Sequence, residues 1–337
     1  MKEGTRRASK AQAQHGTVAE IRIAKRTGFC YGVREAIDKA KEARATGKKT
    51  HTLGQVVHNE GVIRDLQELG IATVDTLDDV NEGAAVVIRA HGVRPDVMER
   101  AAGKGLEVID GTCTWVIQEQ KEIVKLVEEG YTIVLLGTPK HPEVVGLLGF
   151  APDAIVVDEE EDWEQIPRKK KMALISQSTQ PPWKFEKLAA FMVGRSHELK
   201  IVNTVCPVTI RRQEDTLEAA REVDLMVVVG GRSSANTKEL TRLCGIAGTP
   251  AIQSEGAREL EDAAAFDGAR VVGVTGGTST PIEDLHAVAK RILELAGTPE
   301  ARANAGSLAD AAFAQAATPA GRTTSLPSAG AASVAAG

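Results

Sequence analysis

The stretch IRIAKRTGFC (residues 21–30) decides the fold, because its pattern of a short apolar strand that ends in a cysteine occurs twice more. The other two copies are LEVIDGTC (106–113) and IVNTVC (201–206). A glycine follows each of these cysteines after the same interval, at Gly54, Gly137 and Gly230. Repetition at a fixed spacing is typical of one supersecondary unit that is used several times. The sequence therefore predicts three related units that each bring one thiol to a shared centre.

Strand and helix patterns alternate between these cysteines. Near-continuous apolar strands such as TIVLL (132–136) are typical of parallel sheets covered on both faces, and their alternation with helices indicates βαβ units. Hydrophobic periodicity predicts further strands at 49–53, 85–90, 172–176, 224–229 and 271–275, and helices at 33–45, 62–69, 116–129, 183–193, 209–220, 238–247 and 282–295. The predicted fold class is α/β, with three α/β domains related by a pseudo-threefold axis (a trefoil) and mainly parallel sheets.

Each unit also contains a strand that ends in a polar loop before a helix. These loops are RAHGV (89–93), SQSTQPP (176–182) and TGGTSTP (275–281). Ligands of open parallel sheets bind outside the carboxyl ends of the strands. We therefore expect the polar loops and the three cysteines to face one crevice.

The domain boundaries follow from the repeat and from composition. We predict a flexible N-terminal extension over 1–19 and three α/β domains over 20–105, 106–199 and 200–296, with the option that the opening strand packs with the third domain. Residues 297–337 are mostly Ala, Gly, Ser and Thr with almost no large apolar residue. Such a composition cannot bury a core, which predicts a disordered tail.

Composition narrows the class of protein. The net charge is −5 and aromatic residues make up 3% of the 337 residues, which disfavours broad binding to nucleic acids or membrane surfaces. No apolar run reaches the roughly 18 residues of a membrane-spanning helix. Four cysteines in so long a chain are not a disulfide framework, and no apolar signal segment is found. A cytoplasmic enzyme is expected.

The three repeated cysteines are candidate metal ligands. Each precedes a predicted helix N-terminus, where the partial positive charge favours the thiolate. Zinc is one option, but its ligands typically come in close C-x₂-C pairs, and none is present. A [4Fe–4S] cluster fits better, although such clusters commonly have four cysteine ligands. Cys244 lies on an apolar helix face (ELTRLCGIAG) and is interpreted as a core residue.

Polar residues at the same loops predict an anion site. His58, His91 and His141 follow strands, and the third unit offers Ser234, Asn236 and Ser279 instead. Imidazole, hydroxyl and amide donors beside helix N-termini suit a phosphate or diphosphate. Glu143 is the only carboxylate inside one of these loops. Burial would raise its pKa and suit it to proton delivery, while the alternative is an acid that merely stabilises a helix N-terminus.

Ordered motifs across the chain resemble the LytB family of 4-hydroxy-3-methylbut-2-enyl diphosphate reductases, from the non-mevalonate isoprenoid pathway. The resemblance covers about residues 21–295 and is carried by GFCYGV (28–33), VVHN (56–59), AHGV (90–93), HPEVVG (141–146) and TVCPVTIRRQ (204–213). It implies a trefoil around a central [4Fe–4S] cluster, one per chain, with Cys30, Cys113 and Cys206 as its ligands and one iron left open.

The same resemblance implies the reaction and its residues. Two electrons from ferredoxin or flavodoxin would remove the hydroxyl of (E)-4-hydroxy-3-methylbut-2-enyl diphosphate as water and leave isopentenyl and dimethylallyl diphosphates. Glu143, Ser178 and His141 are the implied catalytic residues. The implied substrate-binding residues are His58, His91, His141, Ser178, Thr179, Thr209, Ser234, Asn236 and Ser279.

Two departures from the family pattern keep other functions open. The chain has Ser178 where the family usually has threonine, and Ala235 where it usually has serine. One alternative is a hydro-lyase, in which an open-iron cluster eliminates water without net electron transfer. Another is a non-catalytic, cluster-based redox sensor, which the two departures would favour.

Overall fold

Three four-stranded sheets form the fold in the computed structural model, which describes residues 17–57, 59–232 and 234–317. The strands are β1 (Glu20–Ile23), β2 (Thr50–Leu53), β3 (Ile71–Val74), β4 (Ala85–Ile88), β5 (Glu107–Asp110), β6 (Thr132–Leu136), β7 (Ile155–Val157), β8 (Lys169–Ser176), β9 (Ser196–Ile201), β10 (Leu225–Val229), β11 (Ala251–Ser254) and β12 (Val271–Gly276). The pairings between these strands are parallel. The predicted fold class is thereby confirmed.

The helices connect the strands and cover the sheets. They are α1 (Tyr31–Ala45), α2 (Glu60–Glu68), α3 (Pro95–Gly103), α4 (Thr114–Glu128), α5 (Pro142–Leu148), α6 (Pro182–Val193), α7 (Pro207–Ala220), α8 (Ala235–Ile246), α9 (Ile282–Ala296), α10 (Pro299–Ala303) and α11 (Ala305–Ala317). Each sheet has a separate apolar cluster on either face. This explains the near-continuous apolar strands β4, β6 and β10, because both faces of a central strand are buried.

The sheets exchange one strand around the trefoil. Their strand orders are β3-β2-β4-β5, β7-β6-β8-β9 and β1-β12-β10-β11. The strand before each repeated cysteine therefore completes the sheet of the preceding domain: β5 pairs with β4, β9 with β8, and β1 with β12. Between each of these strands and the helix that follows its cysteine, the chain therefore crosses from one domain to the next.

The predicted domain boundaries differ from this arrangement. A boundary at 105/106 separates β5 from its own sheet, and one at 199/200 cuts through β9. The option that the opening strand packs with the third domain agrees with the pairing of β1 and β12. Local periodicity identifies a strand, but long-range packing decides which sheet an edge strand joins.

The predicted disordered tail is wrong for residues 297–317. Helices α10 and α11 occupy this range, and Ala305, Ala309 and Ala312 of α11 are buried in the third domain's core. Large apolar residues are not required here, because alanine has the highest helix propensity and its small side chain lets helices pack closely. The remainder of the predicted tail, 318–337, lies outside the described residues.

The N-terminal prediction is corrected in the same way for its last residues. Val18 is fully buried in the third domain's core and forms an isolated bridge with Gly297, while the Thr17 hydroxyl donates to the Ala269 carbonyl 2.9 Å away. Residues 1–16 lie outside the described part of the chain. Within that part, none of the helices is both long and apolar enough to cross a bilayer.

Candidate functional site

The three repeated cysteines occupy the same structural position. Each is the N-cap residue of a helix: Cys30 of α1, Cys113 of α4 and Cys206 of α7. Each backbone amide donates to a carbonyl of the polar loop in the preceding domain, at distances of 3.1 Å to Thr278, 3.0 Å to Ala90 and 2.8 Å to Ser178. The cysteines therefore stand at the three crossings between domains.

These crossings bring the thiols together. A Cβ atom at Gly32 would lie 2.6 Å from the Cys113 sulfur, so only glycine fits between the first two cysteine loops. Burial raises the pKa of Cys30, and the nearby charges of Cys113 and Cys206 add to this, while the amide of Val33 on its sulfur opposes it. Burial likewise raises the pKa of Cys113, with contributions from Cys206 and Glu143.

The donor set suits a cluster better than a single ion. Across the described ranges, no group of three or more His, Cys, Asp or Glu side chains is placed to hold one metal ion. Structural zinc needs four ligands around one atom, whereas cysteines that bind an iron–sulfur cluster attach to separate irons and stand further apart. The three thiols are half-buried, and Cys206 is close enough to raise the pKa of both Cys30 and Cys113, which fits the latter arrangement.

Arg212, which the sequence analysis did not single out, holds two loops in place: the loop before Cys30 and the polar loop 275–281. It is 2% exposed, and its guanidinium donates to the carbonyls of Gly276, Gly277 and Gly28 at 2.8–2.9 Å. Burial lowers its pKa to about 10, so it stays charged at neutral pH, and its charge favours the Cys30 thiolate. In the sequence, Arg212 could have been identified because it lies six residues after Cys206, inside the motif TVCPVTIRRQ.

Two of the three predicted histidines lie side by side. The rings of His91 and His141 meet edge to face with their centroids 5.1 Å apart. His141 is the N-cap of α5, and its Nδ1 accepts a hydrogen bond from the Glu143 amide at 3.2 Å. Because Nδ1 accepts this bond, the ring proton is on Nε2, and an Nε2–H is a donor that suits an anion. His58 lies outside the described residues.

The third domain supplies polar groups from α7, α8 and the 275–281 loop. Asn236 is buried, and neither atom of its side-chain amide has a hydrogen-bond partner among the described residues. Buried amides are normally satisfied, so an unpaired one points to a missing ligand. Ser234 caps α8, with its oxygen 3.3 Å from the Thr237 amide, and Thr209 is buried in the first turn of α7. Ser279 is half-buried next to Thr278, whose carbonyl accepts from Cys30.

Glu143 and Ser178 form a buried acid–hydroxyl pair. The Glu143 carboxylate accepts from the Ser178 amide at 2.5 Å and from its hydroxyl at 2.8 Å. Burial raises the pKa of Glu143 to about 6, against the opposing effect of these two bonds. The adjacent Thr179 hydroxyl accepts from the Gln177 amide at 2.7 Å, which leaves its own proton available to a ligand. Glu143 is thus no simple helix-stabilising surface acid.

Cys244 lies apart from the other cysteines. It is fully buried between α8 and the third sheet, its thiol donates to the Leu240 carbonyl at 3.2 Å, and burial raises its pKa to about 11. This is the behaviour of a core thiol.

Comparison with known proteins matches this chain to one family. The family described as LytB protein matches residues 21–293. Two similar proteins are 4-hydroxy-3-methylbut-2-enyl diphosphate reductases: that of Geobacter metallireducens is 38% identical over 277 residues (82% of this chain and 98% of the relative), and that of Anaeromyxobacter sp. strain K is 38% identical over 263 residues (78% and 94%).

Solved structures agree with the sequence comparison. One is (E)-4-hydroxy-3-methyl-but-2-enyl diphosphate reductase, the terminal enzyme of the non-mevalonate pathway, with a TM-score of 0.64 and 34% identity over 82% of this chain and all of the other. Another is the E-1-hydroxy-2-methyl-but-2-enyl-4-diphosphate reductase from Plasmodium falciparum, with a TM-score of 0.78 and 25% identity over 85% and 90% of the two chains.

Proposed function

The chain belongs to the LytB family, and from this membership we propose that it reduces (E)-4-hydroxy-3-methylbut-2-enyl diphosphate to isopentenyl and dimethylallyl diphosphates. The predicted family and enzyme class, an oxidoreductase, are confirmed by relatives that match over most of the chain. The relatives are named reductases, which disfavours the hydro-lyase and the redox sensor. The observation that carries the proposal is the meeting of three cysteines at three domain crossings, with Glu143 close enough to affect the pKa of Cys113.

We propose that Cys30, Cys113 and Cys206 hold a [4Fe–4S] cluster. When bound, such a cluster supplies one-electron transfer and an open iron that can act as a Lewis acid toward a hydroxyl oxygen. The chain contributes the frame around it: three helix N-termini face the thiolates, and Arg212 adds a buried positive charge beside Cys30. These features favour the ionised thiols that metal binding requires.

The diphosphate is proposed to bind to neutral hydrogen-bond donors. His141 is supported as an Nε2–H donor by the bond that its Nδ1 accepts, and Thr179 is supported by the bond that its hydroxyl accepts. The Asn236 amide is supported by its lack of a partner among the described residues. Ser234, Ser279 and Thr209 add hydroxyls around the same loops, and His91 packs against His141. His58 is proposed as a further donor only because it lies in the motif VVHN (56–59). Several neutral donors bind an anion with directional bonds without a large desolvation penalty.

Glu143 is proposed to deliver protons. Removing a hydroxyl reductively consumes two electrons and two protons, because one proton leaves with the hydroxyl as water and the other forms the new C–H bond. A carboxyl with a pKa of about 6 is a suitable acid near neutral pH. The Ser178 hydroxyl lies 2.8 Å from this carboxyl and is proposed to pass the proton on toward the substrate.

Two further proposals concern the cellular setting. The two electrons would come singly from a ferredoxin or flavodoxin, which the family resemblance implies. A cytoplasmic location is supported by the need for reduced thiols in a compartment where disulfides are disfavoured.

The test is anaerobic reconstitution of the purified protein with iron and sulfide, followed by an assay with the hydroxylated C5 diphosphate and a low-potential electron donor. We expect the absorbance of a cluster that is held by three cysteine ligands, and we expect both C5 diphosphates to form. An intact cluster without product would contradict the proposed activity.

A further inference from the structure

A second buried acid lies near the site and has no role in the mechanism above. Glu119 belongs to the buried stripe of α4, between Val116 and Ile123, where helical periodicity favours an apolar residue. It is 2% exposed, and neither carboxylate oxygen has a hydrogen-bond partner in the described structure. A carboxyl group in this position destabilises the fold unless it is kept neutral, so a functional reason is indicated.

The charges that act on Glu119 come from acidic groups. Burial raises its pKa well above the ordinary range, and the charges that add to this effect come from Glu143 on α5, Cys206 at the start of α7 and Cys113 at the start of α4. No lysine or arginine charge acts on it among the groups that shift its pKa. Glu119 therefore lies within electrostatic range of the predicted acid and of two of the three thiols.

The other side of Glu119 borders a cavity. This cavity of about 400 Å³ lies between α4 and residues 202–204, and its wall includes Glu119, Gln118 and the half-exposed Glu122. The Trp115 indole closes one side by donating to the Thr204 carbonyl at 2.7 Å. Glu119 thus lines a cavity that solvent can enter and lies within electrostatic range of the buried Glu143.

We propose that Glu119 relays protons from this cavity to Glu143. The inference rests on the proposed function, in which each turnover consumes two protons while Glu143, itself 2% exposed, holds one. Glu143 must therefore be reprotonated from outside. Glu119 gives its proton toward Glu143 through bridging water and takes another from the cavity, so the relay is proton-neutral over the cycle and needs no added oxidant or reductant. Because Glu119 acts through Glu143 and not on the substrate itself, it is a positioning residue.

The kinetic test uses the reconstituted holoenzyme with Glu119→Gln and Glu119→Ala. We expect both variants to bind cluster and substrate normally but to turn over more slowly, by roughly tenfold or more. Small carboxylic acids such as formate should restore part of the rate of Glu119→Ala, in proportion to the protonated acid. Glu122→Ala, which changes the wall of the same cavity, should show neither the loss nor the restoration. Normal turnover in Glu119→Gln, loss of the cluster, or a slow Glu119→Ala that no acid restores would overturn the relay.

A second readout does not depend on turnover. The infrared band of protonated carboxyl groups, recorded at neutral pH for the wild-type holoprotein minus Glu119→Gln, should contain one extra protonated carboxyl. Its absence would overturn the relay even if the enzyme is active. If the band is present but the wild type forms no product, the proposed reaction fails while the neutral buried acid stands.

Discussion

The amide of Cys206 donates a hydrogen bond to the carbonyl oxygen of Ser178, 2.8 Å away. Ser178 in turn donates its own amide and hydroxyl to the Glu143 carboxylate. One residue therefore connects a predicted cluster ligand to the predicted acid. Because the backbone carbonyl and amide of Ser178 take part in these bonds, the pKa of Glu143 is tied to the loop that positions Cys206.

This connection predicts how the pH profile depends on Ser178. Turnover needs protonated Glu143, so it should fall as the pH rises through the pKa of about 6. In Ser178→Ala one of the two bonds that lower this pKa is lost, and the falling limb of kcat should move to higher pH. Ser178→Thr keeps the hydroxyl and should leave the limb in place. A limb that stays fixed in Ser178→Ala would show that Glu143 is not the group that titrates.

Removal of the acid itself should separate chemistry from binding. Glu143→Gln keeps the size of the side chain and can still accept from Ser178, but it cannot give up a proton under these conditions. We expect normal cluster absorbance and substrate affinity, with turnover lower by at least about 10²-fold. Comparison of kcat with the Kd of the substrate decides the matter; near-normal turnover would remove the role of Glu143 as the acid.

The four cysteines provide an internal control for metal binding. Cys113→Ser should abolish nearly all cluster absorbance after anaerobic reconstitution, because a hydroxyl is a poor ligand for iron in a cluster and two thiolates remain. Cys244→Ala should leave the absorbance unchanged, because that thiol lies in the core beside Leu240. Iron and sulfide content per chain measures both outcomes. Equal losses in the two variants would indicate a folding defect in place of a lost ligand.

The unpaired amide of Asn236 predicts an effect on binding. Asn236→Ala removes two polar atoms that have no partner in the described part of the chain, so it should weaken diphosphate binding with little effect on unfolding. Ala235→Ser restores a hydroxyl beside it at the start of α8 and should tighten binding. One hydrogen bond of 0.5–1.5 kcal/mol corresponds to roughly two- to tenfold in Kd. Titration calorimetry with the substrate checks both; an unchanged Kd in Asn236→Ala would place the diphosphate elsewhere.

The sequence allowed the repeated elements of the fold to be predicted but not their exchange between domains. The apolar runs of β6 and β10 are visible locally because both faces are buried. The sheet that β5 joins depends on contacts with β4, which no local pattern records. At the site, cysteines and histidines could be found by their spacing. Glu119 could not, and Arg212 had only its place in the motif TVCPVTIRRQ as a signal, because the role of both residues comes from burial, which arises only when the domains meet.

Helix α11 tests the part of the fold that composition misjudged. Ala309 is fully buried against the third domain's core, whereas Ala311 on the same helix is exposed. Ala309→Asp places an unpaired charge in the core and should lower the free energy of unfolding by about 3 kcal/mol or more. Ala311→Asp changes helix propensity and charge equally but should stay within about 0.5 kcal/mol of the wild type. Urea unfolding of the two variants measures the difference. Equal stabilities would mean that α11 does not pack on the domain in solution.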